Sequence, residues 1–318
     1  MNNFIEKLIQ RNYVTNLIRN GVYLLKGLRL HPSTRIYSQG EFRYYRGTTI
    51  GERCIVTVPR GAAVRLGHKT WINHDTEISA EREIIIGDYT TVQSRCTFNG
   101  DIRIGKSCIF AANVFISSGA HYFSLKPYDL IQNQDRYRTA AGAPQDSRVV
   151  IEDDCWVGVN SVVMPGCKIG RGVVVGANSI VTRDIEPYTV VAGAPAVALK
   201  KRLQFAPPEE ISAERATDMP YFYAGFSQNN TLDKNPSHGH VTAKIFSIAL
   251  GCAGKTQINL ELEKPDDQPV TIGYMGASAK LTDKVSIVSF KIVDAKLWKH
   301  DFTTLDAARV SIKRAWVS

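Results

Sequence analysis

The 318-residue chain contains no Cys-x-x-Cys pair and only seven histidines, and charges interrupt any apolar run near its start. Glu6, Lys7, Arg11, Arg19, Lys26, Arg29 and Arg35 punctuate the first 40 residues. That pattern excludes a spanning helix and an export-signal core followed by a small-residue cleavage site, so a cytoplasmic chain is expected. The six cysteines lack the spacing of zinc ribbons or redox pairs, and no aromatic RNA-stacking motif is present. With 44% apolar and 22% charged residues, the composition also excludes disordered and collagenous classes and fits one large or two ordinary domains.

Positive charge is present in excess, at a net +9, but it is unevenly spread. Residues 1–46 hold eight Lys or Arg against two acids, a net of +6, whereas residues 206–318 hold thirteen of each and sum to zero. Without a nucleic-acid motif this surplus is not read as RNA or DNA binding. A basic N-terminal segment instead suits peripheral contact with an acidic membrane surface at the inner face.

The dominant pattern is a period of six. Stepping from Ile86 gives Val92, Phe98, Ile104, Phe110 and Ile116, and stepping from Ile151 gives Val157, Val163, Ile169, Val175 and Val181. Less regular turns begin at Ile50 and Val56 and at Leu66, Ile72 and Ile78. Four positions after each apolar residue stands a small or β-branched one: Thr90, Cys96, Ile102, Cys108, Val114, Ala120, then Cys155, Ser161, Cys167, Val173, Ser179 and Ile185. Gly recurs just after the apolar position, at 51, 67, 87, 105, 158, 170 and 176. Six fits neither a helix nor plain alternation. It fits short strands joined by corners, three per coil, with the apolar residue filling a prism and Gly or Asx at corners that favour positive φ.

This pattern, over about residues 48–200, resembles the hexapeptide-repeat family, whose fold is a left-handed parallel β-helix. The same register puts Cys54, Cys96, Cys108, Cys155 and Cys167 at the small inward position, where each reads as a compact buried hydrophobe and neither a disulfide nor a metal ligand. Cys252 lies outside the repeat.

Apolar residues at Phe4, Ile5, Leu8, Ile9, Leu17, Ile18, Leu24 and Leu25 have helical spacing over residues 3–28, either capping the prism or lying on a membrane. The hexad stops after Leu203, where Ala206-Pro-Pro-Glu-Glu210 reads as a linker. Beyond it, alternation at Ile258, Leu260 and Leu262, and runs at Val270–Tyr274, Val285–Val293 and Val310–Val317, predict an antiparallel β-sandwich. The expected division is thus a helical or capping segment over 1–47, a β-helix over 48–205 and an accessory β-domain over 206–318. Within the last, Tyr221, Phe222, Tyr223 and Phe226 are either core or a platform that stacks on sugar faces.

Between Ile116 and Ile151 the spacing misses a multiple of six, so a loop leaves the coil there. The excursion over 122–150, with Tyr122, Arg136, Tyr137 and Arg138, is where a site is expected. Ile116-Ser-Ser-Gly-Ala-His121 resembles the segment that carries the catalytic His in hexapeptide sugar acetyltransferases. The resemblance implies that His121 takes the acceptor proton as the acceptor attacks a thioester and returns it to the leaving thiolate. No Ser or Cys beside it forms a nucleophile motif, so direct transfer in a ternary complex is expected.

The same resemblance assigns the other site residues. Asn99 of Thr97-Phe98-Asn99, together with Tyr122, would contact the acceptor, although Asn at a corner also bonds turns. The block containing Trp156, Gly158 and Val159 matches the family's Trp-Ile-Gly element, with Val159 where the family has Ser. Gly176, Ala177, Thr182 and Arg183, then Pro195 and Lys200, match its acetyl-CoA groove, with Arg183 and Lys200 near the phosphates. Trp156 equally suits packing between subunits.

The implied protein is therefore an acetyl-CoA-dependent O-acetyltransferase, a homotrimer without metal, acting on a sugar hydroxyl of a surface polysaccharide or its precursor. N-acetyl transfer to an amino sugar and a non-catalytic glycan-binding scaffold are the alternatives. The zinc carbonic anhydrase class of this fold is excluded, because it needs a His five residues beyond the first and Lys126 occupies that place. A nucleotidyltransferase fusion is excluded because too little chain precedes the coil.

Overall fold

A two-residue strand followed by a corner turns the side chain of every sixth residue to the same side, and stacked coils then bury those side chains against one another. In a computed structural model of the chain, which describes residues 13–140, 147–224, 226, 245–264, 270–281, 283–294, 296–305 and 310–318, all twelve residues of the two regular runs are buried. The chain divides into two units, Met1–Gln204 and Phe205–Ser318.

The first unit is a left-handed β-helix of three parallel faces. Its first face stacks Arg29–Leu30, Thr49–Ile50, Trp71–Ile72, Thr91–Val92, Ile109–Phe110, Trp156–Val157, Val174–Val175 and Thr189–Ala192. The second starts from Arg35–Ser38 and Ile55–Val58, and its later rungs are Phe115–Ser117, Val162–Val163 and Ile180–Val181. Two long strands, Glu77–Ile86 and Thr97–Ile104, bend round into the third face, which Val149–Ile151 and Lys168–Ile169 continue. Helix α1, Tyr13–Leu25, precedes the first rung; the rest of the helical pattern expected over 3–28 falls partly on residues 1–12, outside those described.

Parallel stacking begins at Arg29, ahead of the boundary at 48 that the hexad suggests. The cause is a longer repeat: Arg29 pairs with Thr49 and Thr49 with Trp71, steps of 20 and 22 residues, whereas Thr91 pairs with Ile109 and Trp156 with Val174, steps of 18. The extra residues sit at corners, so the inward positions survive while the written period does not.

The corner glycines have a different reason from the expected one. Positive φ falls on the residue two positions later: Arg53, Lys69, Tyr89, Ser107, Asn160, Gly172 and Asn178. Gly105 and Gly158 instead allow coils to approach, since a Cβ on them would lie 2.6 Å from the backbone nitrogens of Asp153 and Ala177. Only glycine fits such a gap.

The small inward residue is also more than a spacer. Thr70, Thr90 and Ser161 hydroxyls donate to the carbonyls of Gly87, Gly105 and Gly176 in the next coil, at 3.2, 2.9 and 3.0 Å. The thiols of Cys96, Cys108 and Cys155 donate to Ala111, Glu152 and Gly170 carbonyls, each at 3.2 Å. Cys therefore replaces Thr or Ser as a donor that fits, not merely as a small hydrophobe. All six cysteines are free. Ala120 breaks the series and is exposed, because the chain has already left the coil.

The second unit pairs two antiparallel sheets. One orders Glu210–Ser212, Ser311–Val317, Gln257–Glu263 and Val285–Lys291; the other orders Ile245–Ala249, Lys299–Thr304, Val270–Tyr274 and Ala277–Leu281. Ile258, Leu260 and Leu262 from one sheet and Phe246, Ile272 and Phe302 from the other share a core, as alternation requires. Phe222, Tyr223 and Phe226 are buried in this unit, with the rings of Phe226 and Phe246 5.7 Å apart, and Tyr221 packs against Phe205. Phe222, Tyr223 and Phe226 are therefore core and not an exposed platform for sugar faces, while Tyr221 is half-buried beside them.

Candidate active site

The excursion leaves the second face after Phe115–Ser117 and returns as Val149–Ile151 on the third. Asp101, 2% exposed, pins both ends. Its N–H donates to Ser118 Oγ at 2.7 Å, and Arg148 Nε donates to its carboxylate at 2.9 Å, beside Arg82 at 2.8 Å. Gly100, at φ 102°, makes this crossing possible, because a Cβ there would overlap Ser118 Oγ.

Within the excursion, helix α2 spans Ile131–Ala140. The Asp129 carboxylate precedes it and accepts from Leu130 N–H at 2.7 Å and from Asn133 Nδ2 at 2.9 Å. Gln134, buried, accepts from Lys126 N–H at 3.1 Å and donates to the Asp129 carbonyl at 3.1 Å. These bonds fold the loop back so that Asp135 meets His121.

That meeting defines the site. His121 Nδ1 lies 2.7 Å from Asp135 Oδ2, and Tyr122 N–H donates to Asp135 Oδ1 at 2.9 Å. The Tyr122 N–H and then the His121 ring hold the Asp135 carboxyl below its ordinary value. An ionised carboxylate only accepts, so Nδ1 carries the proton and Nε2 presents a lone pair. The His121 side chain is 84% exposed, which leaves Nε2 open to an acceptor. Asp135 is absent from the sequence reading: with Asp129 and Asp146 also in the excursion, spacing alone does not select it.

Asn99 pairs in register with Ser117, and its carbonyl accepts from Ser118 N–H at 3.0 Å, so it sits on the coil beside the point where the loop departs. Tyr122 is half-buried and joins the site through its backbone.

The proposed donor residues fall on separate edges. Gly158 and Val159, then Gly176 and Ala177, stack at the corner between the first and second faces; Ile180 N–H donates to the Gly193 carbonyl and Ala196 N–H to the Ile180 carbonyl, which carries Pro195 onto that line. The Arg95, Asn113, Asn160 and Asn178 side chains form a hydrogen-bonded ladder along the same corner, at 2.8, 2.8 and 3.1 Å. Trp156 stands on the first face and is 52% exposed. Thr182 and Arg183 follow Val181 at the opposite edge of the second face, the edge from which His121 departs. Lys200 lies in Val197–Lys201, folded back antiparallel against Thr189–Ala192 on the first face. Neither Arg183 nor Lys200 makes an ion pair among the described residues. One chain therefore brings Asn99, the His121 loop and Arg183 to one edge, and Gly158, Val159, Gly176, Ala177 and Pro195 to another.

The model of the family described as bacterial transferase hexapeptide (six repeats) matches residues 148–183. A probable macrolide acetyltransferase of Lysinibacillus sphaericus is 34% identical over 122 residues, which cover 36% of this chain and 68% of that protein. The chain belongs to the bacterial transferase hexapeptide family. A chloramphenicol acetyltransferase of Klebsiella aerogenes is 38% identical over 133 residues, 41% of this chain and 55% of that protein. A putative lipopolysaccharide biosynthesis O-acetyl transferase of Escherichia coli K12 is 41% identical over 103 residues, 31% of this chain and 50% of that protein. This hexapeptide chain thus spans about half the length of the chloramphenicol acetyltransferase it matches.

Proposed function

We propose that the protein is an acetyl-CoA-dependent acetyltransferase, and more narrowly an O-acetyltransferase for a sugar hydroxyl of a surface polysaccharide or its precursor. One observation carries the reading: an exposed His121 whose Nδ1 is bonded to Asp135 at 2.7 Å, leaving Nε2 to act as a base. The acceptor hydroxyl gives its proton to Nε2 as its oxygen attacks the thioester carbonyl carbon. The carbon–sulfur bond then breaks, and the imidazolium returns the proton to the departing thiolate. Asp135 keeps the ring oriented and stabilises the imidazolium between the two transfers, the role a buried carboxylate plays in hydrolase triads. Asn99, in register with Ser117 beside the loop, is the residue proposed to orient the acceptor.

Acetyl-CoA supplies the activated acyl group. Arg183 and Lys200 are exposed and suit its phosphates, while Val159, Ala177 and Pro195 offer a corner against which the pantetheine arm lies. Because these residues occupy different edges of one coil, a groove that uses all of them is formed between copies. The outward apolar residues Trp71, Ile109 and Trp156 on the first face and Phe115 and Ile180 on the second support such packing, and a homotrimer is the proposed assembly. The relatives include a chloramphenicol acetyltransferase, a probable macrolide acetyltransferase and a putative lipopolysaccharide biosynthesis O-acetyl transferase, which supports acetyl transfer and leaves the sugar as the narrower part of the proposal.

The test is a CoA-release assay with purified protein across polysaccharides, neutral sugars, amino sugars and chloramphenicol. Turnover with neutral sugar hydroxyls above that with the other acceptors supports the reading. Faster turnover with amino sugars moves it to N-acetyl transfer, and no release with any acceptor, alongside glycan binding, moves it to a scaffold.

A further inference from the structure

Helix α1 is turned inside out. At about 100° per residue, Ile18, Val22 and Leu25 fall within one narrow stripe, with Asn20 and Tyr23 on the opposite side. The polar side faces the coil: Asn20 is 2% exposed and donates from Nδ2 to the Thr34 carbonyl at 2.8 Å, and the Tyr23 ring packs 5.5 Å from Phe42. The aliphatic stripe faces outward, with Ile18 66%, Val22 45% and Leu25 90% exposed. A helix serving only as a cap would bury those residues against the prism and leave Asn20 in water.

Immediately after the helix the chain enters a cavity of about 440 Å³ whose lining includes Arg29, Arg46, His68, Lys69 and Tyr89. Gly27 also lines it, so the cavity begins two residues beyond Leu25. Among the described residues no carboxylate lines it. The neighbouring Asp88 accepts from the backbone N–H of His68, a lining residue, at 2.8 Å and pairs with Lys106, outside the cavity, at 3.4 Å. Arg29, Arg46 and Lys69 have no acidic partner among the described residues; Lys69 instead lies 5.4 Å above the Tyr89 ring. Three uncompensated cations in a concave, aromatic-edged site favour a phosphate group. The cations of this cavity and the exposed aliphatic stripe therefore lie at the same end of the solenoid.

We propose that this end of the protein docks on an anionic phospholipid bilayer, with Ile18, Val22 and Leu25 entering the interface and the cavity of Arg29, Arg46 and Lys69 taking a lipid phosphate. The two features act together: an apolar stripe alone binds any bilayer weakly, and cations alone bind reversibly through the surface potential. Docking would hold the solenoid at the membrane, where acceptors carried on lipid are found. The inference rests on the helix and the cavity and not on the proposed transfer reaction.

The experiment is co-sedimentation of the full-length protein with vesicles of phosphatidylcholine alone or mixed with phosphatidylglycerol, over a salt series. The protein is expected to bind the anionic vesicles, weaken with salt and ignore the neutral ones. Replacing Arg29, Arg46 and Lys69 together by Gln lowers binding by about 10²-fold, from roughly fivefold per cation. Replacing Ile18, Val22 and Leu25 together by Ser lowers it by about tenfold or more. Both sets are exposed, and an unchanged thermal melt verifies folding. Three results overturn the proposal: equal binding to neutral vesicles; stabilisation by inorganic phosphate, lost in the Gln variant, without vesicle binding; and self-association abolished by the Ser variant, again without vesicle binding.

Discussion

The β-helix and the sandwich bury aliphatic side chains equally well but find their partners over different distances. In the helix rungs pair with ones about 16 to 22 residues on, except where the excursion intervenes and Ile109 pairs with Trp156, Phe115 with Val162 and Ile102 with Val149. In the sandwich Glu210–Ser212 pairs with the last strand, and Ile245–Ala249 with Lys299–Thr304. Local stacking leaves a written period that insertions at corners only stretch, whereas antiparallel closure leaves alternation but no address for the partner strand.

The contrast extends to chemistry. His121 sits on an excursion with one ring nitrogen held by Asp135 and the other open. His300 is buried in the sandwich with both nitrogens engaged, Nε2 3.1 Å from Cys252 Sγ and Nδ1 3.1 Å from Tyr274 Oη. Burial pushes the His300 imidazole down and the Cys252 thiol up, so both are held neutral, and the trio is a satisfied core network. Cys beside His is therefore not a nucleophile here.

The largest expected effect separates these two residues. His121→Ala lowers acetyl transfer by about 10²-fold or more with CoA affinity unchanged, because loss of a base affects the transition state and not the groove. His300→Gln lowers the melting temperature and leaves the turnover of the folded fraction unchanged. Steady-state kinetics beside CoA titration reads both, and equal turnover in wild type and His121→Ala would return the residue to a surface role.

Next in size is a pair of glycines. Gly105→Ala pushes a Cβ against the backbone of the following coil and costs about 1–3 kcal/mol. Gly273→Ala in the sandwich meets its nearest atoms at 3.7 Å, an ordinary contact, and shifts stability by about 0.5 kcal/mol or less. Denaturant unfolding of the two variants tests whether close coil approach is peculiar to the helix.

A smaller effect is opposite pH dependence. The His300 imidazole is depressed from its ordinary value near 6.5, so the unfolded sandwich binds a proton that the folded one refuses. Sandwich stability is full above pH 6.5 and declines as pH falls below it. In the helix, burial pushes the Cys54 and Cys96 thiols from about 9 up to about 11. There the unfolded chain releases protons first, so stability declines as pH rises from about 9 towards 11. Hydrogen exchange resolved by peptide is expected to show acid loosening in 245–304 and alkaline loosening in 50–110. His300→Gln removes the former alone.

The smallest effect is expected on removing the sandwich. Residues 1–204 contain their own core, and a chain ending at Gln204 keeps the helix, its CoA binding and its transfer to small acceptors. A raised KM confined to long acceptors would tie the sandwich to the acceptor, through a surface other than the buried Phe222 and Phe226. Loss of CoA binding in the soluble truncated protein would show that the two units are not independent.

The six-residue period alone determined the prism, its twelve buried apolar rungs and the breakpoint before His121, because parallel stacking writes each inward position into the sequence at a nearly constant interval. The alternation beyond residue 257 likewise announced strands. Tertiary structure decided what depends on approach across space. It placed parallel coils as early as Arg29, set Gly105 and Gly158 where the next coil leaves no room for a Cβ, and made Cys96 a donor to Ala111. It buried Phe222 and Phe226, turned Ile18 and Leu25 outward, and chose Asp135 among the acids of the excursion as the partner of His121. None of these leaves a period, because each is fixed by a contact between segments whose separation the local backbone does not encode.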